Sequence, residues 1–253
     1  DNKFVFGHKR LSIIDLSKKG RQPMMSYDKS SLITYNGEIY NYKELKKFLL
    51  LKGFKFNSNT DTEVLLNGLI YEGSSFIKRC NGMFAFAYYN KNNNEFLLFR
   101  DRLGIKPFFY SIENNKIIFS SNIKSIYAYD FKNHNINLES VSAFFSFRQP
   151  LGNKTFFKNI KNLEPGNFIQ IKNGKMKIKE YWSQKNLFLL NKENKGEDYY
   201  INKIKNLLNS SVEYRLLSDV KVASLLSGGL DSTIIASIIE KKAKKNFTAY
   251  SIG

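Results

Sequence analysis

The hydrophobic pattern changes period along the chain. Up to about Trp182, short apolar runs alternate with polar turns, and the segments behind it carry helical spacing. In chain order, Phe4–Gly7 predicts a strand, and Gly20–Met24 a turn. Leu32–Tyr35 predicts a strand that Asn36-Gly37-Glu38 interrupts. Asn-Gly is a hairpin signal, weakened here because the next residues turn helical, with Asn41 placed to cap a helix over Tyr42–Lys52 and Gly53 to end it. A strand over Phe54–Asn57 follows, then a second helix that starts within Asn59–Glu63 and runs to about Tyr71. Asn81–Tyr89 and Glu95–Asp101 predict two strands, and a further pair flanks Glu113-Asn114-Asn115, closing at Ser120. Helices are predicted over Ile123–Tyr129 and Leu138–Phe147. Asn167–Lys172 and Lys175–Tyr181 predict a hairpin about Asn173-Gly174. Gln184–Gly196 is polar and reads as a linker. Behind it come an amphipathic helix over Glu197–Leu217, an apolar and buried parallel strand over Val220–Leu226, a helix over Ser232–Ala243, and a strand over Phe247–Ile252. The domains predicted are 1–182 and 197–253, joined by the linker 183–196.

Composition narrows this picture in three ways. With 42% hydrophobic and 15% aromatic residues the chain can bury a sizeable core. No run approaches the ~20 apolar residues of a membrane helix. The single cysteine, Cys80, excludes an internal disulfide and fits a reducing, cytoplasmic compartment. The net charge of +18 raises the question of a nucleic-acid partner, but the 40 Lys and Arg residues are spread along the chain without a long run. A solvated basic surface is the better reading.

The candidate chemistry is densest at Leu226-Ser227-Gly228-Gly229-Leu230-Asp231-Ser232-Thr233. A strand, a Ser-Gly-Gly turn and a helix N-terminus together make an anion site, because glycines admit a phosphate close to the backbone and unpaired N–H groups face it. It is not a Walker A loop, since no Lys follows the glycines. Ser227, Ser232 and Thr233 offer hydroxyls, and Asp231 sits where a carboxylate could hold Mg²⁺ beside phosphates. Asp61, near a helix start, reads as a capping acid.

The Ser-Gly-Gly-Leu-Asp-Ser stretch resembles the pyrophosphate loop of the N-type ATP pyrophosphatases. The ordered series R-L-S-I-I-D (10–15), N-G-E-I-Y-N (36–41), S-N-T-D-T-E-V (58–64), N-G-M-F-A-F-A (81–87), R-D-R-L-G-I-K-P (100–107) and S-D-V-x-V-x-x-L-L-S-G-G-L-D-S (218–232) resembles the glutamine-dependent asparagine synthetases of the B type over nearly the whole chain. The resemblance implies an α+β, four-layer αββα N-terminal-nucleophile hydrolase domain that releases ammonia from glutamine. An α/β parallel-sheet ATP pyrophosphatase domain follows, which adenylates aspartate. It also implies the roles. Arg10 pairs with the glutamine α-carboxylate in bidentate fashion, as its planar fork suits. Leu11, Ser12, Ile13 and Ile14 supply wall and backbone, and Asp61 receives the α-ammonium. The Asn36 side chain and the Gly37 N–H form an oxyanion hole, typically worth about 3–4 kcal/mol per donor, and Glu38 completes the substrate contacts. For ATP, Leu226 and Ile252 bracket the adenine while Ser227, Gly228, Gly229, Leu230, Asp231 and Ser232 hold the pyrophosphate, with Mg²⁺ reached through Asp231. A homodimer is expected of the full-length protein, and no membrane partner.

The sequence also departs from that pattern. The family's nucleophile is an N-terminal Cys whose own amine serves as base, whereas this chain begins at Asp1. Cys80 is no substitute and reads as a structural thiol on a short helix. Lys221, Ala223 and Asn122 stand where relatives usually have Pro, Gly and Glu. The expectation is a fragment of a longer enzyme, without turnover alone. Two alternatives stay open: an amidotransferase of the same architecture acting on a sugar acid or peptide carboxylate, and a glutamine-binding remnant without a nucleophile.

Overall fold

The structure is a computed structural model that describes residues 4–114, 116–129, 135–188, 194–243 and 247–251. In chain order the elements are β1 (Met24–Met25), β2 (Ser31–Ile39), α1 (Tyr42–Leu51), α2 (Asp61–Glu72), β3 (Gly82–Asn90) and β4 (Glu95–Arg100). β5 (Phe109–Glu113), β6 (Lys116–Ser120), α3 (Ile123–Tyr129), α4 (Leu138–Phe147), β7 (Ile160–Asn162), β8 (Asn167–Lys172) and β9 (Lys175–Glu180) complete the first region. α5 (Lys185–Phe188), α6 (Glu197–Arg215), β10 (Ala223–Leu225), α7 (Leu230–Lys242) and β11 (Thr248–Tyr250) follow.

Strand alternation builds the layers. In β3, Phe84, Phe86 and Tyr88 face one way, into a core shared with Leu45 and Leu49 of α1 and Val64, Leu65, Leu66 and Leu69 of α2. Ala85 and Ala87 face the other way, where they meet Leu98, Phe108, Tyr110, Leu163 and Ile169. The sheet β1-β2-β3-β4-β8-β9 therefore carries helices on one face and the small sheet β6-β5-β7 on the other, and α3 rests against β5 and β6 with Ile126 buried. The small alanines let the two sheets approach. On the helix-covered face, Phe86, Phe99 and Phe168 are successive cross-strand partners, with ring centroids 4.9 and 4.4 Å apart. Such pairs add about 0.5–1.5 kcal/mol each beyond their buried area. At the far edge, all six residues of β9 are exposed.

Several expectations need correction. Asn36-Gly37-Glu38 is no turn: β2 runs straight through it, pairing Asn36 with Ala85 and Gly37 with Phe84. Glycine is needed there because a Cβ on Gly37 would lie 2.3 Å from the Met83 carbonyl oxygen and 2.7 Å from the Phe84 Cα. Asn41 sits at the N-cap of α1 but does not cap it. Its Nδ2 donates to the Arg79 carbonyl and its Oδ1 accepts the Asn81 N–H, tying the helix start to β3. Phe4–Gly7 and Phe54–Asn57 form no strands. Each is held by its rings: Phe4 packs 4.5 Å from Tyr89, and Phe54 and Phe56 pack against the helix-side core. The linker contains the short helix α5, and residues 189–193 lie outside the described residues.

The second region is thin. β10 and β11 pair in parallel, as expected, but Val220 and Leu225 of the predicted buried strand are exposed. Among the described residues only a small cluster of Val212, Ile238 and Ile239, with Leu216, Ala243 and Phe247, packs α6 against α7. Residues Tyr214–Asp219 touch the first region: the Arg215 guanidinium lies 4.4 Å from the centre of the Tyr40 ring, and the Tyr214 hydroxyl donates to Glu44. No helix among the described residues is long and apolar enough to cross a membrane.

Candidate functional site: a polar cavity and a glycine turn

A cavity of about 410 Å³ opens where β2 and β3 meet the 7–14 segment and the 106–108 loop. Arg10, Leu11, Ile13, Ile14, Asn36, Gly37, Glu38 and Asp61 all line it, although they come from distant parts of the chain. Ser12, expected among them, does not. Leu11 is a rim residue, 84% exposed, and not an enclosing wall.

Asp61 is the first residue of α2, and the Thr60 hydroxyl caps that helix by accepting the Glu63 N–H at 3.2 Å. The capping role read for Asp61 thus belongs to Thr60. The Asp61 carboxylate points instead into the protein, where its Oδ2 accepts the Tyr35 hydroxyl at 2.7 Å and the Ile39 N–H at 2.9 Å. Burial pushes its pKa up, and these hydrogen bonds oppose the rise. Glu38 is likewise raised, by burial and then by the nearby Asp61 charge, while Lys106 and Arg215 pull it back. Two carboxyl groups therefore lie beside one cavity, each with its pKa raised chiefly by burial.

Arg10 makes the other pole. Its Nη2 donates to the carbonyl oxygens of Ile14 at 2.7 Å and Asp15 at 2.8 Å, and its Nη1 reaches the Ser17 carbonyl at 3.4 Å. Gly20 leaves room for this packing: a Cβ there would lie 2.5 Å from Nη2. Nη2 belongs to both forks of a guanidinium, so the bidentate clamp expected of Arg10 is not free in this arrangement. Nε makes none of these bonds, and it shares no fork with Nη1, so a carboxylate meets one donor at a time. His8 stands beside it, hydrogen-bonded to the Thr34 hydroxyl at 3.2 Å, with its pKa lowered by burial and by the Arg10 charge.

The Arg100-Asp101-Arg102 motif is structural. The buried Asp101 carboxylate accepts the N–H groups of Phe84, Leu103, Ile105 and Lys106 at 2.9–3.2 Å. Arg100 donates to the carbonyls of Gly104, Lys106 and Leu163 and to Asn162, and Arg102 to those of Cys80 and Lys78. This scaffold presents Lys106, Pro107 and Phe108 to the cavity. Lys106, Tyr35 and Gln22 were not foreseen as lining residues. Tyr35 was within reach as the chain neighbour of Asn36, although alternation turns the two side chains to opposite faces of β2. Gln22 was not, because it joins the site only by accepting the Tyr35 N–H through its side chain at 2.7 Å. Cys80 lies outside the cavity, follows a 3-10 helix over Gly73–Arg79, and is buried, which pushes its thiol up to about 12. It is a packing residue, as expected.

The Ser-Gly-Gly turn leads from β10 into α7, with Gly229 at the N-cap and Gly228 in the left-handed region at φ 78°. No atom lies within 4 Å of a Cβ built on Gly228, so the turn stays open to a ligand. The Ser227 and Ser232 hydroxyls are 3.2 Å apart, and those of Ser232 and Thr233 donate to the Gly229 carbonyl. The Leu226 N–H is already donated to Tyr250, and Ile252 lies outside the described residues. No group of three or more His, Cys, Asp or Glu able to hold a metal occurs among the described residues. Asp231 is thus a lone acid at the turn.

Residues 1–182 match the model of the glutamine amidotransferase domain, and residues 203–253 that of asparagine synthase. Asparagine synthetase [glutamine-hydrolyzing] 3 of Bacillus subtilis is 36% identical over 255 residues, which cover 98% of this chain and 41% of that protein. Asparagine synthetase [glutamine-hydrolyzing] 2 of the same organism is 37% identical over 261 residues, covering 99% and 34%. Among solved structures, the glutamine phosphoribosylpyrophosphate amidotransferase of B. subtilis aligns with a TM-score of 0.46 at 15% identity, over 93% of this chain and 49% of that one. The chain spans about two fifths of the length of the curated relatives it matches. It belongs to the glutamine amidotransferase domain family, and the asparagine synthase match behind that domain gives it the order found in the glutamine-hydrolysing asparagine synthetases.

Proposed function

We propose that this chain is part of an enzyme that makes asparagine from aspartate. Ammonia comes from glutamine bound in the first region, and ATP, cleaved to AMP and pyrophosphate, activates the aspartate in the second. The observation that carries the reading is the cavity itself. It joins a guanidinium, a buried carboxyl group and the Asn36-Gly37 strand segment around one cavity of about 410 Å³.

A zwitterion needs two opposite charges and an amide needs a third contact. Arg10 meets the α-carboxylate with its charge and a single remaining donor, Nε. Asp61 takes the α-ammonium, which restores the ionised form that burial disfavours. The side-chain amide then reaches Asn36 and Gly37, the donors for the oxyanion that forms when the amide is attacked. Glu38 sets the polarity beside them. Cys80 is not the attacking thiol of this reading, being enclosed and with its pKa pushed up to about 12 by burial.

In the second region the left-handed Gly228, the Ser227 hydroxyl and the start of α7 from Leu230 to Ser232 form an open cradle that fits a pyrophosphate. Leu226 offers ATP its side chain and carbonyl oxygen, its N–H being spent, and Ile252 belongs to the same reading. When bound, Mg²⁺ offsets phosphate charge, with Asp231 as the protein oxygen beside it.

Calorimetric titration of L-glutamine into this chain tests the first half. Saturable 1:1 uptake is expected, weakened about tenfold or more in Asp61→Asn, and no uptake by the unmodified chain would refute the reading. Product analysis of the complete enzyme tests the second, where ADP instead of AMP would overturn it.

A further inference from the structure

Helix α6 and the Ser-Gly-Gly turn are joined by residues 216–222, and this connection does more than link them. Asp219 donates its N–H to the Ile13 carbonyl at 3.1 Å, and its Oδ2 accepts the Asp15 N–H at 2.7 Å. The two bonds bracket Ile14 as a strand partner would. Asp15 sits in the left-handed region at φ 54°, a conformation rare for a non-glycine residue and kept only where surroundings enforce it. Its own carboxylate adds the enforcement from the other side. Oδ1 accepts the N–H and hydroxyl of Ser17, and Oδ2 accepts the Asn59 N–H, one residue before the cap of α2.

The bracketed backbone is the one that holds Arg10, whose Nη2 bonds both the Ile14 and Asp15 carbonyls. We infer that Asp219 is a positioning residue for the glutamine cavity: it fixes the Ile13–Asp15 backbone that orients Arg10, so the connection leading into the ATP-binding turn sets how tightly the cavity holds its amino acid. Asp219 does not line the cavity, and its hydrogen bonds reach it through the backbone of Ile13 and Asp15. The inference rests on the glutamine reading of the cavity. The bond is exposed, so water competes for both partners and the effect is graded.

The test uses this whole chain. Asp219→Ala is expected to weaken L-glutamine binding by roughly 3- to 10-fold and to speed hydrogen exchange at the Asp15 amide. Asp219→Asn, which keeps an acceptor oxygen, should restore both to near the original values. Lys242→Ala removes an ion pair to Glu213 in the same region and should change neither. If the unmodified chain takes up no glutamine, the reading of the cavity fails, and this role with it. If the unmodified chain binds and Asp219→Ala binds equally well, only the positioning role fails. Should Asp219→Ala unfold, exchange in the unmodified chain still decides: an Asp15 amide exchanging at the unprotected rate overturns the inference.

Discussion

Gly37 and Gly228 stand at corresponding points of the two regions, each beside the groups proposed to meet a substrate, yet they are glycines for opposite reasons. Gly37 has ordinary strand backbone and no space: the Met83 carbonyl oxygen would lie 2.3 Å from an added Cβ. Gly82 mirrors it across the ladder, its own Cβ position 2.3 Å from the Glu38 carbonyl oxygen. Gly228 has all the space it needs and a φ of 78° that a side chain disfavours. The first region is specified by packing and the second by backbone conformation. The cavity therefore borrows its rigidity from a buried sheet, whereas among the described residues the glycine turn hangs on a small cluster of Val212, Ile238 and Ile239.

The contrast can be broken by substitution. Gly37→Ala forces the strands of the central sheet apart and should cost about 3 kcal/mol or more, lowering the thermal midpoint of the chain by roughly 10 °C. A midpoint within a degree of the original would show that packing does not specify this position. Next comes Asp101→Asn, which removes a charge that four backbone N–H groups share. A loss of about 2 kcal/mol is expected in urea unfolding, with the 101–108 loop the first part to lose protection.

Asp61 sharpens the comparison through pH. Its folded pKa is raised by burial, so the folded protein holds this proton more tightly than the unfolded chain does. Its contribution to stability is therefore largest in acid and declines as the pH climbs from about 4 through the raised value. Urea midpoints across that window should show the decline, and Asp61→Asn should flatten it. Glutamine affinity should run the other way, rising with pH as the carboxylate forms. Smallest is Gly228→Ala, where the left-handed penalty is about 1 kcal/mol and nothing clashes. Nucleotide affinity should fall more than stability does, and a midpoint shift as large as that of Gly37→Ala would erase the distinction.

Much of the scaffold was legible because it follows period alone: α3, α4 and the β8–β9 hairpin fall where alternation and Asn-Gly chemistry put them. Ile160–Asn162 was not, since a three-residue strand with one buried side chain has no period to read. Asn36-Gly37 misled for a specific reason: the dipeptide that favours tight turns is also what remains when a strand must sit close to its neighbour. Arg10 and Asp61 could be nominated from ordered motifs, but their partners could not. The acceptors of Arg10 are backbone carbonyls exposed by the unusual conformation of Asp15, and the donors to Asp61 are a tyrosine hydroxyl and a strand amide. Sequence gives side chains to a site and says nothing of the main chain that completes it.

The open edge of the large sheet has a consequence for how the protein behaves in company. Among the described residues β9 is an edge strand with no partner on its outer side, and such edges can recruit further chains into aggregates. Lys175, Lys177 and Lys179 repeat along it with the strand period, so a second copy laid alongside would bring like charges together. These three lysines belong to the +18 net charge of the chain. Charge repeated along an exposed edge is a general means by which sheets resist pairing with a neighbour.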